Sequence, residues 1–172
     1  PSLEVLSVYN ETTYYPLKID LAEGGLPCLR QLLLKQFDVD HFNLEAFFKA
    51  APALETLTFE SIKILDNPTI GPSKPIKTLK HLKLFTSTLT NENLKKLLDQ
   101  MPALETLELN NCEQITAFHL SPLPKLKNIV IENMLFDSEN LLKVFQASPN
   151  VTSFTLKKVD HLVQNLLSYQ HY

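Results

Sequence analysis

One six-residue pattern, LxxLxL, recurs seven times along this chain and constrains its fold more than any other feature. The copies are "PSLEVLSV" from Pro1, "PCLRQLLL" from Pro27, "PALETLTF" from Pro52 and "KTLKHLKL" from Lys77, then "PALETLEL" from Pro102, "PKLKNIVI" from Pro124 and "PNVTSFTL" from Pro149. Their starts are separated by 26, 25, 25, 25, 22 and 25 residues. Apolar side chains hold the first, fourth and sixth positions, as Leu29, Leu32 and Leu34 do in the second unit. The two-residue step from the fourth to the sixth position is the period of a β-strand with one buried face. A lone strand of this length cannot hide its leucines. Seven of them stacked in parallel bury one continuous core, which is the physics of a solenoid.

Composition follows from that repeat. The 172 residues include 33 leucines and 11 prolines but only 3 glycines. Six prolines open a unit, and a proline is tolerated at the first residue of a strand because its missing N–H breaks no ladder bond. So few glycines argue against hairpin sheets, whose tight turns need positive φ. Gly24, Gly25 and Gly71 also lack the spacing of a phosphate-cradling loop. Apolar residues at 44% and charged residues at 20% point neither to disorder nor to a membrane protein, and no apolar run of 18 residues, signal peptide or transit peptide is present.

Charge and chemistry narrow the function classes. The net charge is −3, and Arg30 is the one arginine. Nucleic-acid sites lean on arginine forks and basic stripes, so neither a nucleic acid nor a membrane is expected as partner; Lys95-Lys96 and Lys157-Lys158 are only pairs. Cys28 and Cys112 have no metal-ligand spacing, read as small buried packing residues and suit a reducing compartment. A cytoplasmic or nuclear location is therefore expected ahead of secretion, although Asn10-Glu11-Thr12 and Asn150-Val151-Thr152 fit the glycosylation pattern. The histidines form no HxxxH or HExxH and no serine sits in GxSxG. No catalytic residue, cofactor or metal is expected, and the chain does not read as an enzyme.

The segments that return from one strand to the next alternate in kind. After the second, fourth and sixth strands come "DHFNLEAFFKAA", "TNENLKKLLDQM" and "DSENLLKVFQAS", with Asp40, Thr90 and either Asp137 or Ser138 as N-caps. Leu44, Phe47 and Phe48, then Leu94, Leu97 and Leu98, then Leu141, Leu142, Val144 and Phe145 fall at helical spacing and are expected as the buried stripes of these helices. A last helix over about 160–169 is expected to cap the C-terminal unit. The returns after the first, third and fifth strands have no helical period, and "LDNPTIGPSKP" is an irregular loop on its prolines alone.

The repeat resembles the leucine-rich repeat, LxxLxLxxN/CxL, over nearly the whole chain. "LETLELNNCEQIT" from Leu104 to Thr116 is similar to the cysteine-containing subclass of F-box/LRR proteins, the substrate-binding subunits of cullin-type ubiquitin ligases. "AAPALETL", "QMPALETL" and "ASPNVTSF" keep that subclass's proline step without its cysteine. The resemblance implies an α/β fold, a leucine-rich repeat solenoid shaped as an arc or horseshoe. Seven parallel strands would line its concave face, with helices and irregular loops on the convex one. The ninth position departs from the pattern as Glu11, Phe37, Ile62, Ser87, Cys112, Met134 and Val159. Only Cys112 and Ser87 can bond to turn backbone there, so irregular turns and uneven curvature are expected.

In such a fold the third, fifth and seventh positions face the concave side. Among them Tyr9, Leu33, Phe85 and Val130 are apolar or aromatic where a merely solvated face needs neither. With Lys35, His81, Lys83 and Glu108 they form the expected partner-binding set. The resemblance implies a protein-interaction scaffold, the substrate-recognition repeats of an F-box-type receptor, whose upstream F-box would bind a cullin adaptor. A free-standing binding protein, inhibitor-like or a microbial effector, is the alternative. Residues 1–172 read as a single repeat domain, expected to be part of a longer chain. The strand at Ser2 to Val8 presents an open edge that a further unit or another molecule would pair.

Overall fold

A computed structural model describes residues 2–10, 15–16, 22, 24–39, 41–64, 72–118, 120–134 and 138–158. The elements are β1 (Val5–Tyr9), β2 (Tyr15–Pro16), β3 (Gln31–Lys35), β4 (Phe37–Val39), α1 (His41–Ala50), β5 (Thr56–Glu60) and β6 (Lys63–Ile64). They continue with β7 (His81–Phe85), α2 (Asn91–Asp99), β8 (Thr106–Asn110), β9 (Asn128–Glu132), α3 (Ser138–Ala147) and β10 (Ser153–Lys157). Each five-residue strand is one copy of the repeat, from its third to its seventh position.

The seven long strands form one parallel sheet in the order β1-β3-β5-β7-β8-β9-β10. Its register never slips: Val5, Gln31, Thr56, His81, Thr106, Asn128 and Ser153 stand side by side. Alternation then sends the fourth and sixth positions inward. Leu32, Leu34, Leu57, Phe59, Leu82, Leu84, Leu107, Leu109, Ile129 and Ile131 are all buried, and the first-position leucines Leu29, Leu54, Leu79, Leu104 and Leu126 lie beneath them. Full burial of a leucine side chain is worth about 2 kcal/mol, so each inner unit brings several kcal/mol that it could not realise alone. The end strands differ. Leu6 and Val8 in β1 and Phe154 and Leu156 in β10 are only partly buried.

Backbone bonding repeats with the same regularity. The N–H groups of the second and third positions both donate to the second-position carbonyl of the preceding unit, as Glu55 and Thr56 do to Arg30 at 2.8 and 2.9 Å. At the far end of the strand the eighth residue donates to the seventh-position carbonyl of the following unit. Gln36 to Glu60, Ser61 to Phe85 and Thr86 to Asn110 are examples, at 2.9, 2.8 and 2.8 Å. Every one of these eighth residues from the second unit onward has positive φ: Gln36, Ser61, Thr86, Asn111, Asn133 and Lys158, between 50° and 61°. The turns are thus uniform, contrary to the irregularity expected from the missing Asn/Cys ladder. The eighth-residue N–H, not the ninth-position side chain, carries the turn. Glycine scarcity likewise does not exclude positive φ here; non-glycine residues adopt it.

The three helices stand where their apolar spacing places them, but Leu142 and Phe145 of α3 are exposed and Phe48 of α1 is only half-buried. This corrects their expected place in the core: Leu142 and Phe145 face away from the strand leucines, and Phe48 packs at the core's margin. Helices follow β3, β7 and β9 at a constant offset of six positions, Lys35 to His41, Phe85 to Asn91 and Glu132 to Ser138. Thr90 is the N-cap of α2, its side-chain oxygen accepting the Asn93 N–H at 3.2 Å. Asp40, Asp137 and the expected cap helix over 160–169 lie outside the described residues. Residues 112–118 and 120–124 contain no helix. The sequence gives no hint of a second, three-stranded parallel sheet, β2-β4-β6, just past the turns that end the long strands. It pairs Tyr15 with Phe37 and Asp38 with Lys63.

Candidate protein-binding face

The sheet register decides where the expected binding residues stand. Seven fifth-position residues form one row, Ser7, Leu33, Thr58, Lys83, Glu108, Val130 and Thr155. The seventh positions form a parallel row, Tyr9, Lys35, Glu60, Phe85, Asn110, Glu132 and Lys157. Tyr9, Leu33, Lys35, His81, Lys83, Phe85, Glu108 and Val130 therefore share the face opposite the leucine core. His81, Lys83 and Phe85 all stand on β7, the central strand of the seven. Leu33, Phe85 and Val130 are half-buried, whereas Tyr9 on the end strand is 56% exposed.

The charged members are not independent anchors. Lys35 pairs with Glu60 at 2.6 Å, and Lys83 pairs with Glu108 at 3.4 Å. Glu132 faces Lys158 at 3.5 Å and Lys157 at 4.0 Å. Each lysine and glutamate in these two rows thus meets an opposite charge on a neighbouring strand or turn. Reading single columns for composition missed this, because the pairing partner sits one strand away.

A further charge row lies at the second position, beside the strands. Glu4, Arg30, Glu55, Lys80, Glu105 and Lys127 alternate in sign through six units. Glu55 pairs with both Arg30 and Lys80, and Lys127 pairs with Glu105 at 3.1 Å. The hydrogen bond from Lys80 is the main reason that the Glu55 carboxyl sits below the usual carboxylate range; that from Lys127 does the same for Glu105. The signal was present in the sequence as an alternation at the repeat period.

Cys112 and Ser87 occupy the ninth position as the repeat pattern requires. The Cys112 thiol donates to the carbonyls of Leu84 and Asn110, each at 3.5 Å, and the Ser87 hydroxyl donates to Phe85 at 3.0 Å. Burial pushes the Cys112 thiol up, away from a reactive thiolate. Cys28 is exposed, which corrects its reading as a packing residue: it lies on the turn after Gly24 and Gly25, ahead of the first buried leucine of its unit.

Two recesses lie beside the helices. One, of about 340 Å³, runs between α1 and residues 72–78 and is lined by Phe48, Pro52, Pro75 and Ile76. There Glu45 accepts the Ser73 N–H at 2.7 Å and its hydroxyl at 2.6 Å. The other, of about 330 Å³, lies between Phe118, Leu120 and α3. Among the described residues no group of His, Cys, Asp and Glu is placed to hold a metal ion, and no helix is long and apolar enough to cross a membrane.

A parallel sheet built from LxxLxL strands, with helices returning on one side, defines a leucine-rich repeat solenoid. Residues 60–171 match the family described as At1g61320/AtMIF1, LRR domain, and the chain belongs to that family. It is also similar to Putative F-box/LRR-repeat protein 22 of Arabidopsis thaliana, 29% identical over 122 residues that cover 67% of this chain and 40% of that protein. The chain thus spans well under half of that relative's length. No solved structure matches.

Proposed function

We propose that this chain is the substrate-recognition repeat region of an F-box-type ubiquitin-ligase receptor, holding a target protein on the concave sheet face. A leucine-rich repeat solenoid of this family is a protein-interaction scaffold, and one observation carries the finer reading. It is the similarity to an F-box/LRR-repeat protein, 29% identical over 122 residues of this repeat-built chain. The concave residues Leu33, His81, Lys83, Phe85 and Val130, with Tyr9 and Lys35 at one end and Glu108 beside Lys83, supply aromatic, aliphatic and polar contacts of the kind interface centres use. Both cysteines are free thiols, compatible with the reducing cytoplasm or nucleus where such receptors work.

The test is co-expression of the full-length gene product with the cullin adaptor. Stable association, with a target whose ubiquitylation is lost on changing Leu33, Lys83 and Phe85 together, supports the receptor reading. A full-length product that ignores the adaptor, while still binding a protein through the same three residues, selects the free-standing binding protein instead.

A further inference from the structure

The recess between α1 and residues 72–78 stands apart from the concave face, and its reading rests on the repeat scaffold rather than on a receptor role. One wall is the C-terminal half of α1; the other is the segment that leads into the fourth unit. That segment is pinned along its length. Glu45 holds Ser73, the Gln100 carbonyl accepts the Ile76 N–H at 2.7 Å, and the Pro52 carbonyl accepts the Thr78 hydroxyl at 3.2 Å. The recess is therefore built into the fold, and a ligand entering it has little chain to order.

Its lining is part apolar and part cationic. Half-buried Phe48 and Ile76, with Pro72 and Pro75, form the apolar wall, and Lys49, Lys74 and Lys77 stand around it. Glu45 balances Lys49 at 3.2 Å. Lys74 and Lys77 are exposed and meet no carboxylate among the described residues, whereas the lysines of the strand rows, of the second-position row and of all three helices are paired. The recess beside α3 makes the contrast, since its one lysine, Lys143, pairs with Glu139 at 2.9 Å. A chain of net charge −3 thus keeps two unbalanced positive charges around one apolar recess. A phosphate or a nucleic-acid backbone would meet the lysines and leave Phe48 and Ile76 wet, while a neutral apolar segment would make no use of the lysines. The matching occupant carries negative charge and an apolar group together. A volume of about 340 Å³ lies at the small end for ligand sites and suits one anchoring side chain rather than a folded surface. On a protein-interaction scaffold, that side chain belongs to a polypeptide.

We propose that this recess is a second protein-docking site, which takes a short acidic segment of a partner. One large apolar side chain of that segment sits against Phe48 and Ile76, and its flanking carboxylates meet Lys74 and Lys77. Random twelve-residue peptides displayed on phage and selected on the whole chain test this. Two variants read the site: Lys74→Glu with Lys77→Glu, which alters only exposed side chains, and Phe48→Ala. Each is checked for an unchanged melting transition, and the lysine variant decides alone if Phe48→Ala melts early. Leu33, Lys83 and Phe85 changed together give a concave-face control. The expected winners carry acidic residues around one aromatic residue or leucine. They weaken at least about tenfold on either recess variant, weaken as strongly between about 0.05 and 0.5 M NaCl, and bind the concave-face control as they bind the parent. Winners without acidic residues, winners indifferent to the lysine variant, or no winners at all overturn the proposal. Winners lost only on the concave-face control also overturn it, and leave the receptor reading standing. An oligonucleotide or phosphatidylserine vesicles bound through the same lysines, and unaffected by Phe48→Ala, would reveal an unselective cationic patch and overturn it as well.

Discussion

Six non-glycine residues in the left-handed region are the local cost of this architecture. Each eighth position turns the chain out of its strand, and from Gln36 to Asn133 its N–H also reaches the next unit's seventh-position carbonyl. Left-handed backbone costs an ordinary L-residue about 1–2 kcal/mol, and asparagine, whose short amide bonds locally, less. Asn111 and Asn133 suit the position; exposed Thr86, β-branched at a φ of 50°, does not. Thr86→Asn is therefore expected to raise stability by up to about 1 kcal/mol, read from the urea midpoint. An unchanged or lowered midpoint would mean that the strain is already relieved by Thr86's surroundings. The need for positive φ was illegible from the sequence, since Gln, Ser, Thr, Asn and Lys share no side-chain chemistry at that position. Only the backbone route unites them.

At the scale of elements, what the sequence disclosed depended on length. Five-residue strands and ten-residue helices carry enough period to be read, as does a cap such as Thr90. β2 and β6, two residues each, carry none. A second signal was readable but hidden by aligning on strands: Asn-Leu recurs as Asn43-Leu44, Asn93-Leu94 and Asn140-Leu141, three and four residues into each helix. Its use is clear in α3, where buried Asn140 accepts from the Phe118 N–H at 3.4 Å and donates to the Thr116 carbonyl at 3.0 Å. Asn91 of α2 holds the same loop from the other side, accepting from Thr116 and Ala117. Asn140→Ala removes its bonds to the Phe118 N–H and the Thr116 carbonyl and is expected to cost about 1–3 kcal/mol, with faster amide exchange at Phe118 as its local signature. Uniform exchange across the chain would show a merely global loss.

The return loop at Ser73 responds to pH through one carboxylate. Burial pushes Glu45 up, but the Ser73 hydroxyl and N–H together with Lys49 outweigh it and hold its pKa below the ordinary 4.5. The unfolded chain therefore takes up the proton first as pH falls, and stability falls with it. The contribution is whole above about pH 4.5 and is lost as pH drops through the lower folded value. Glu45→Gln is expected to cost about 1 kcal/mol at pH 7 and to converge with the parent protein below the folded value. A gap between the two that stays constant down to pH 3 would contradict this account.

For the whole molecule, helices follow β3, β7 and β9, the described residues 112–118 and 120–124 after β8 hold none, and the sequence after β1 and β5 has no helical period. Neighbouring strands are about 4.8 Å apart, whereas packed helices need about 8–10 Å between axes. A helix in every unit forces the strands inside a tight horseshoe. A helix in every second unit fits two strand spacings almost unstrained, so a structural period of two units rather than one is expected. The sequence permits a direct trial, because "PALETL" occurs identically from Pro52 and from Pro102. Deleting residues 52–101 joins Ala51 to an unchanged "PALETL", preserves the helix–loop alternation and leaves Glu105 to take the place of Glu55 opposite Arg30. Deleting residues 52–76 alone removes one loop unit and drives α1 against α2 on adjacent strands. Because a solenoid's stability is a sum of units and neighbour interfaces, the two-unit deletion is expected to fold with a single, lower melting transition. The one-unit deletion is expected to lose cooperativity or aggregate, although it keeps more leucine core. A one-unit deletion that melted as sharply as its shorter sibling would show that leucine burial alone sets the fold and that the alternation of returns is incidental.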